Sequence, residues 1–576
     1  MNESRRFIGD GALLAIALGG LALRIAPLLR AGGPLAWVVD YDEGVYFSAS
    51  AMLFRGVLPY RDFVFVHPPG ILYLLGIAPS FAAMRIIATF IGAISTFLVG
   101  RITLRAAGLP AAIAAAALYA TYPEAVTAER GPFLEMALNL ACLAGAAAWL
   151  RGKPFLAGLA LGAACAVKVF GGVWIVAALV SGPRRGRLLG GAVVAGVVLV
   201  APLFFVAPHA FIEQTLLFHA TRPPDGIVAR AARLPEIFAG GHVVATILAA
   251  VGLLSVLRLP AARFFAVATI LTAASFVVSA SYWSQYNAHL AASECVLAGI
   301  GAAALLRFRG AIAVTLLLAT PSLRQCILAS RGRAPELPAV AAMIRELVPP
   351  NAPLFTFEPQ WALAAGRLPM IADTYGTMLL DATRGGAKFP DTATAFQSPG
   401  PQTQVRARLA ASRFAILGWR GKWQMNAESR AWFASQFVCD TPAAGDLCLW
   451  EKAGPQQRTA ITFGDGWYAE EGLPPQTWRW MGARSTTTLP RIAGRAHLEL
   501  AIEIPRENLP ATITVELSGR PLDRFTTTKT EEVRAYDADG SDTRLVLTTN
   551  RTVSTPADAR KLGLRLDRIV WRARRE

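Results

Sequence analysis

Charged residues are scarce in this sequence. Asp, Glu, Lys and Arg make up 16% of its 576 residues, whereas a soluble domain of average composition has about a quarter. The deficit is concentrated in the first 330 residues. There, apolar runs of roughly twenty residues recur, each long enough to cross the roughly 30 Å hydrocarbon core of a bilayer. This pattern excludes an ordinary soluble protein and predicts a polytopic α-helical membrane protein with a soluble tail.

Several motifs are also missing. The spacings of metal fingers, P-loops and dinucleotide-binding folds do not occur, and there is no internal repeat, so soluble nucleotide chemistry is disfavoured. The net charge of +17 does not indicate nucleic acid, because much of it lies in short loops between apolar runs. In that position it predicts topology and contact with anionic lipid. No cleavable signal peptide is evident, and the first run is expected to remain as a span.

Cysteine is rare, with six residues in the chain. Cys439 and Cys448 flank a turn-like TPAAGD segment in the tail. A disulfide there would fit an oxidising compartment, and the sequence leaves the bridged and free states open. The other four lie in or near apolar runs, where they indicate small core side chains: Cys142, Cys165, Cys295 and Cys326.

About eleven spans are predicted. The stretch 154–182 can form one long tilted helix or two short ones, and loop charge decides between them, because basic residues concentrate in cytoplasmic loops. Two helices put the basic cluster at 184–187 in the cytoplasm, with the N-terminus inside and everything after about residue 328 outside. The predicted spans are 10–30, 82–104, 108–123, 131–150, 154–167, 169–182, 187–207, 237–257, 262–281, 288–306 and 310–328.

The chain is divided into three predicted domains. Residues 1–330 form the membrane domain, whose first outer loop is 31–81. Helix-like stretches and short apolar strands alternate over 331–455, which predicts an α/β domain. Short alternating segments over 456–576 predict a β-sandwich. Four aromatic residues in this last part can either stack on sugar rings or pack in the core: Trp467, Tyr468, Trp478 and Trp480.

The outer loop carries an unusual acidic cluster within Asp40–Gly70. Carboxylates beside hydrocarbon are costly and usually mark a functional site, although a solvated loop is the alternative. Asp42 and Glu43 can act as a general base, hold a divalent cation or bind polar groups of an acceptor. Asp40 can take any of these roles or cap a helix. Whether a metal binds to Asp40 and Asp42 stays open.

A second acidic site lies at the outer ends of spans three and four. Glu135 is about one turn inside a span, where an unpaired carboxylate is expensive, and Arg130 is its predicted partner. Glu129 belongs to the same group and is a second candidate for contact with substrate. A structural salt bridge is the alternative explanation for this site.

Cations at the outer surface predict an anionic ligand. Lys168 interrupts the apolar stretch AVKVFGG, and a lipid-linked phosphate is the natural partner of such an ammonium group; snorkelling to the interface is the alternative. Arginines on the outer face are not explained by the bias of basic residues toward the cytoplasm. The arginines assigned to phosphate binding with Lys168 are Arg61, Arg222 and Arg230.

Further polar residues of the outer face are candidates for contact with a sugar or headgroup. His67 belongs to an HPPG segment, and Tyr286 and His289 belong to YWSQYNAHL. Aromatic residues at this depth can instead form an interfacial belt.

These segments together resemble the bacterial GT-C superfamily of membrane glycosyltransferases. The outer loop D-x-D-E-G-x-Y…A-x-x-M-L-x-x-G-x-x-P-Y-R-D-F…H-P-P-G is similar to that of relatives of the protein O-mannosyltransferases and of the aminoarabinose transferase of lipid A. GLALGAACAVKVFGG and YWSQYNAHL resemble two further motifs of the group. The resemblance covers about residues 10–330, and it extends more weakly to the tail, which looks like the periplasmic domains of such enzymes.

The resemblance implies a hexosyl or pentosyl transferase of the bacterial inner membrane, with its C-terminal domains in the periplasm. An inverting transfer from a polyprenyl-phosphate sugar to a glycan, lipid or protein acceptor is implied, with Asp42 as base, Glu43 beside it and Lys168 at the carrier phosphate. Two other classes remain: a lipid or sugar transporter, which would need polar residues near the midplane of the spans, and a non-catalytic glycan-binding protein of the envelope. Charges cluster at the outer span ends, which disfavours transport.

Overall fold

The computed structural model describes residues 3–225, 232–305, 320–332, 336–442, 447–452, 461–473, 476–492, 494–555 and 558–573. The chain forms two compact units. Unit 1 is Met1–Arg408, Ile416–Gln424 and Ala443–Leu447, and unit 2 is Leu409–Ala415, Met425–Pro442 and Cys448–Glu576.

Helices dominate the chain up to residue 305. They are α1 Glu3–Ile25, α2 Tyr41–Leu53, α3 Gly70–Leu75, α4 Phe81–Ala107, α5 Leu109–Ala120, α6 Pro123–Ala128, α7 Leu134–Leu150, α8 Pro154–Val167, α9 Gly172–Ser181, α10 Arg185–Leu199, α11 Ala201–Phe204, α12 Pro208–Ile212, α13 Phe218–Thr221, α14 Arg233–Ala239, α15 Val243–Leu253, α16 Pro260–Val278 and α17 Asn287–Leu305.

Eight shorter helices and four strands follow up to residue 452. The helices are α18 Thr320–Ala329, α19 Glu336–Leu347, α20 Gln360–Ala364, α21 Thr374–Thr383, α22 Thr392–Gln397, α23 Pro399–Ala411, α24 Trp419–Gln424 and α25 Ala427–Gln436. The strands are β1 Leu354–Thr356, β2 Phe414–Ile416, β3 Phe437–Pro442 and β4 Cys448–Lys452. Helices thus alternate with short strands in the region where the sequence predicts an α/β domain.

Several helices have the length and composition of membrane spans. Among the described residues, four such stretches satisfy both criteria, and α14 with α15, bent by 86°, would make a fifth. The four are Gly9–Leu29, Phe81–Ala107, Pro260–Val278 and Ser284–Leu305. Shorter apolar helices occupy the other predicted positions up to residue 181, and 154–182 forms two helices that break at Lys168, as expected. The count of eleven stays a prediction; most of its last span lies outside the described residues.

Glycine permits a close helix contact in this region, between α8 and α10. A Cβ on Gly158 would overlap the carbonyl oxygen of Leu188, and one on Gly191 would overlap that of Phe155. Small residues at matching positions let the backbones of membrane helices approach and gain van der Waals contact where no hydrophobic driving force exists. The α8–α10 contact is therefore set by these glycines.

Two buried ion pairs fix the outer loop and the neighbouring helices. Arg85 of α4 pairs with Glu43 of α2 at 3.0 Å, and its guanidinium also donates to the Val38 carbonyl at 2.7 Å. Arg24 of α1 pairs with Glu129 at 2.6 Å, and all four charged side chains are at most 1% exposed. Removing one partner of such a pair leaves an uncompensated buried charge, which typically costs about 3–5 kcal/mol.

Unit 2 contains a sandwich of two five-stranded antiparallel sheets. One has the order β11-β10-β13-β8-β5 and the other β12-β9-β16-β7-β6. The strands are β5 Thr462–Phe463, β6 Trp467–Leu473, β7 Gln476–Met481, β8 Arg484–Thr488, β9 Arg495–Glu503, β10 Ala511–Leu517, β11 Arg520–Thr527, β12 Glu531–Asp539, β13 Arg544–Thr549 and β16 Leu564–Ala573. A small hairpin pairs β14 Val553–Thr555 with β15 Asp558–Leu562.

Strict alternation produces the core of this sandwich. Buried and half-buried residues alternate along β9 and β10, so one face of each sheet supplies the apolar interior. Trp467 packs against that interior, and its indole N–H donates to the Thr486 carbonyl at 3.1 Å. Core packing is thus the role of Trp467. Trp478 and Trp480 flank Arg565, whose guanidinium carbon lies 5.1 and 5.8 Å from their ring centroids.

The cysteines differ in state. Cys142, Cys165, Cys295 and Cys326 are free thiols, and Cys448 is disulfide-bonded. The side chain of Cys439 lies outside the described residues.

The α8–α10 contact can be tested with a matched pair of variants. We expect Gly158→Leu to lower the midpoint of thermal unfolding in detergent, because overpacking costs about 1–3 kcal/mol or more when the obstacle is backbone. Gly190→Leu is the control, since a Cβ there meets nothing within 4 Å. Equal losses in the two variants would contradict the close contact.

Candidate active site

The first turn of α2 is built by a capping box. Asp40, the N-cap, accepts a hydrogen bond from the Asp42 backbone N–H at 2.9 Å, and Glu43 reaches back to the Asp40 N–H at 3.0 Å. These bonds satisfy donors that a helix start leaves free, and the acidic first turn suits the helix dipole. Asp40 therefore does cap a helix, and the cap sets the direction of Asp42.

Asp42 faces a cavity of about 140 Å³ in unit 1. The outer loop contributes Asp40, Tyr46 and His67 to the wall, and the breaks between the apolar helices contribute Lys168 and Tyr286. The cavity also receives residues from further along the chain: Asp373, Tyr375 and Arg420. Residues more than 300 positions apart in the sequence thus line the same cavity. The part of unit 1 that follows residue 330 therefore lies beside the acidic cluster.

The pKa of Asp42 lies above the ordinary range of an aspartate. Burial, followed by the neighbouring charge of Asp40, raises the pKa of Asp42 to about 7. The side chain of Asp42 is half-buried and faces the cavity, so its charged form is poorly solvated. The Tyr46 hydroxyl lies 3.4 Å from Oδ2 of Asp42. A carboxyl with a pKa near 7 can accept a proton from a substrate at neutral pH.

Lys168 forms the first of two ion pairs in the wall. Its Nζ lies 2.7 Å from Oε1 of Glu135 and 4.1 Å from the ring centroid of Tyr286. The predicted pairing of Glu135 with Arg130 is wrong. Arg130 instead donates to the Ser330 hydroxyl at 2.6 Å and the Leu23 carbonyl at 2.8 Å. The helix α8 ends just before Lys168, and the ammonium group of Lys168 contacts the carboxylate of Glu135.

Arg222 forms the second pair. Its guanidinium lies 2.6 Å from Oδ2 of Asp225 and 3.1 Å from the Tyr375 hydroxyl, which also donates to Asp225. All three residues line the cavity. These bonds hold the guanidinium at the wall.

The two histidines of the cavity are neutral at pH 7. Burial lowers the pKa of His67 well below its ordinary value, with the nearby His219 as a further cause, and burial lowers that of His219 to about 4. The ring centroids are 5.4 Å apart, and Nε2 of His219 lies 2.7 Å from the Val66 carbonyl, so this nitrogen carries the hydrogen. His67 therefore contributes a neutral ring to the site.

Three residues from later in the chain reach the cavity although no sequence pattern singles them out: Asp373, Tyr375 and Arg420. The Tyr41 hydroxyl donates to Asp373 at 2.9 Å and accepts from the Tyr375 N–H at 3.0 Å, which joins α2 to the start of α21. Asp373, the N-cap of α21, resembles an ordinary capping residue in sequence. Arg420 lies in the first turn of the short helix α24. Neither position carries a signal that separates it from structural residues, so only the fold could reveal it.

Five predicted residues lie away from the cavity wall. Glu43 and Glu129 are held in the ion pairs with Arg85 and Arg24. Arg61 is exposed and pairs with Asp62 at 2.7 Å. The ring of His289 is buried, with Nδ1 2.9 Å from the Asn139 side chain, and Arg130 is also buried.

One predicted residue, Arg230, lies outside the described residues.

Within the described ranges, no group of three or more His, Cys, Asp or Glu side chains is arranged to hold a metal ion. Asp40 and Asp42 are the two neighbouring carboxylates that the sequence offers for such a role. Whether they take a cation stays a prediction.

The charge balance of the wall limits what the cavity can bind. Its described residues include five carboxyl groups, from Asp40, Asp42, Glu135, Asp225 and Asp373, and three cations, from Lys168, Arg222 and Arg420. Burial raises the pKa of Asp42 to about 7 and raises that of Asp373 above its ordinary value, whereas Asp40 is exposed. An anion that enters near neutral pH therefore faces fewer than five full negative charges, because Asp42 is partly protonated there.

No protein-family model matches the chain, and no curated protein matches it significantly. Solved structures do. ArnT from Cupriavidus metallidurans in the apo state is similar with a TM-score of 0.57 at 16% identity, over 77% of this chain and 99% of that chain. ArnT from the same organism bound to undecaprenyl phosphate is similar with a TM-score of 0.55 at the same identity and coverage. ArnT is a GT-C glycosyltransferase.

The chain has a GT-C fold. This confirms the resemblance of the loop motifs and places the chain among multi-pass membrane proteins. The helix α2 and its acidic first turn thus lie within a GT-C fold.

The displaced pKa of Asp42 predicts a pH-dependent effect on stability. The folded state holds the proton more tightly than the unfolded state, so the contribution of Asp42 to stability falls as the pH rises from about 4 to above about 7. Asp42→Asn removes the ionisable group. We expect the thermal midpoint of this variant, relative to the parent protein, to be higher at about pH 8.5 than at about pH 5.

The control is Asp62→Asn. The hydrogen bond from Arg61 lowers the pKa of Asp62 to about 2, so this group does not titrate over the same pH range. A relative midpoint of Asp42→Asn that stays constant between the two pH values would contradict the raised pKa.

Proposed function

We propose that this chain is an integral-membrane glycosyltransferase that transfers a sugar from a polyprenyl-phosphate donor, with inversion, to an acceptor hydroxyl or amine on the outer, periplasmic face. The observation that carries the proposal is the position of Asp42: it faces one cavity together with the cations Lys168 and Arg222. A base and phosphate-binding groups are the two things that this transfer needs within reach of one donor. The similar ArnT structure that is bound to undecaprenyl phosphate supports a donor of this class.

In the proposed step, Asp42 is the general base. The acceptor oxygen or nitrogen attacks the anomeric carbon, and its proton passes to the Asp42 carboxylate. The bond between the anomeric carbon and the phosphate oxygen breaks, and the phosphate leaves with the electron pair. A pKa of about 7 suits this role, because the group is partly ionised at neutral pH and still basic enough to take a proton.

The departing phosphate needs positive charge more than it needs a proton. Preorganised cations stabilise charge that develops in the transition state, and they do so best in a site from which water is excluded. Lys168 and Arg222 are held by Glu135 and Asp225, so they need little reorganisation when the donor binds. Their charge is partly offset by those same carboxylates, which makes the protonation of the remaining acids important for donor affinity.

Replacement of the base gives the direct test. We expect Asp42→Asn to lower the rate of release of polyprenyl phosphate by about a hundredfold or more, because a positioned general base contributes about 10²–10⁴ to rate. The assay incubates purified protein with a panel of polyprenyl-phosphate sugars and acceptors and measures the released carrier phosphate. Elution as a folded species on size exclusion shows that the variant is intact.

Asp62→Asn is the matched control, since Asp62 belongs to the same loop but is paired with exposed Arg61 outside the cavity. Retained transfer by Asp42→Asn would refute the assigned base.

A second prediction concerns the cations. We expect Arg222→Gln, and the double variant Glu135→Gln/Lys168→Gln, to raise the KM for the donor by about tenfold or more, because hydrogen bonds to charged groups contribute about 1.5–3 kcal/mol. The double variant avoids leaving Glu135 as a buried unpaired charge.

Arg61→Gln should leave the donor KM unchanged, because its side chain lies outside the cavity wall. An unchanged donor KM in the first two variants, or a raised one in Arg61→Gln, would show that phosphate binds elsewhere.

A further inference from the structure

Arg420 differs from the other cations of the cavity. Lys168 and Arg222 each bind a carboxylate, whereas the guanidinium of Arg420 forms no hydrogen bond or ion pair with the described part of the chain, and its Nε is buried without a partner. It lies over the ring of Tyr41, with Cζ 3.7 Å from the centroid. The charge of Arg420 acts on Asp40, Asp42 and Asp373 without a direct ion pair to any of them, so this guanidinium can bind an anion that enters the cavity.

The backbone at Arg420 is held in place by another group. Glu358, which is 1% exposed, accepts a hydrogen bond from the Arg420 N–H at 3.0 Å. A Cβ at Gly418 would overlap the Glu358 carboxylate, so the loop before α24 lies directly on this carboxylate. The main chain of Arg420 is thus anchored while its side chain stays available.

Three neighbouring aromatic rings extend from the protein surface to the cavity that Arg420 lines. Trp419 is 62% exposed, which is unusual for so large an apolar side chain. Its ring stacks on Trp423, with centroids 5.9 Å apart and planes at 21°. Trp423 in turn lies 6.2 Å from Tyr375, which lines the cavity. The Arg420 guanidinium carbon is 4.8 Å from the Trp419 ring centroid, so the cation borders this aromatic path.

We propose that Trp419, Trp423, Tyr375 and Arg420 form an acceptor subsite for a saccharide that carries an anionic group, a carboxylate or a phosphate. The C–H face of a sugar ring carries partial positive charge and packs against the negative face of an indole, while Arg420 binds the anion with its paired donors. The subsite delivers the acceptor toward Asp42 from the side of α21 and α24. This inference rests on the proposed glycosyltransferase function and narrows its acceptor to an acidic saccharide.

The test is direct binding, which does not depend on transfer. Isothermal titration of the full chain in detergent, with and without undecaprenyl phosphate, would compare a glucuronate-containing oligosaccharide, its carboxyl-reduced neutral counterpart and an oligosaccharide ending in mannose 6-phosphate. We expect both anionic probes to bind at least about tenfold more tightly than the neutral one, in line with a charged hydrogen bond. The better of the two identifies the anion.

Variants separate the two parts of the subsite. In Arg420→Gln, we expect the ratio of the Kd of the neutral probe to that of each anionic probe to fall to about one. In Trp419→Ala, we expect the Kd of all three probes to rise by about three- to tenfold, the value of an aromatic contact. The matched controls are Arg384→Gln, an exposed arginine, and Trp432→Ala, a half-buried tryptophan of α25. Both controls should bind like the parent protein.

The outcomes distinguish this inference from the function on which it rests. Absence of binding under both conditions, or unchanged binding in Trp419→Ala and Arg420→Gln, overturns the subsite even if the parent protein releases carrier phosphate from a donor. Binding that is lost as expected, in a protein that releases no carrier phosphate from any donor of the panel, supports the subsite and removes the proposed transferase.

Discussion

Enclosed charge is the constraint on which the site depends. Five carboxyl groups and three cations line one small cavity among the described residues. An unpaired charge in an enclosed cavity is unfavourable in free energy, and the structure reduces this penalty in two ways. Glu135 and Asp225 are paired with cations, whereas burial raises the pKa of Asp42 and Asp373, so these two groups keep their protons to higher pH. A base near neutrality is a consequence of this division.

The same principle operates outside the cavity with a different result. Glu43 and Glu129 are carboxylates like Asp42, but each of them forms an ion pair with an arginine of a neighbouring helix. Glu43 pairs with Arg85, and Glu129 pairs with Arg24. Their charges are used to hold the outer loop and the first helices together, so the residues that surround the cavity are kept in position. Adjacent carboxylates of one motif thus have opposite tasks, since successive residues on a helix point in different directions.

Sequence patterns were a good guide wherever local physics decides. The apolar runs located the helices, the alternation of helices with short strands predicted over 331–455 is observed, and short strands fill most of the described part of 456–576. The outer-loop motif correctly led to a GT-C fold. Lys168, Tyr286 and Arg222 do reach the cavity beside Asp42. Lys168 and Tyr286 could be found because a cation or polar ring at the end of an apolar run is costly, and Arg222 because outer-face arginines are not explained by the bias of basic residues toward the cytoplasm.

The sequence by itself determined the class of protein, the positions of most helices and strands, and the acidic first turn of α2, because hydropathy, alternation and helix capping act over a few residues. Only the tertiary structure decided which carboxylate has a partner. Glu135 pairs with Lys168 rather than with nearby Arg130, and Asp373 and Arg420 join a site more than 300 residues away in the chain. Ion pairing and desolvation depend on distances of a few ångströms in space, and such distances are set by packing between remote segments.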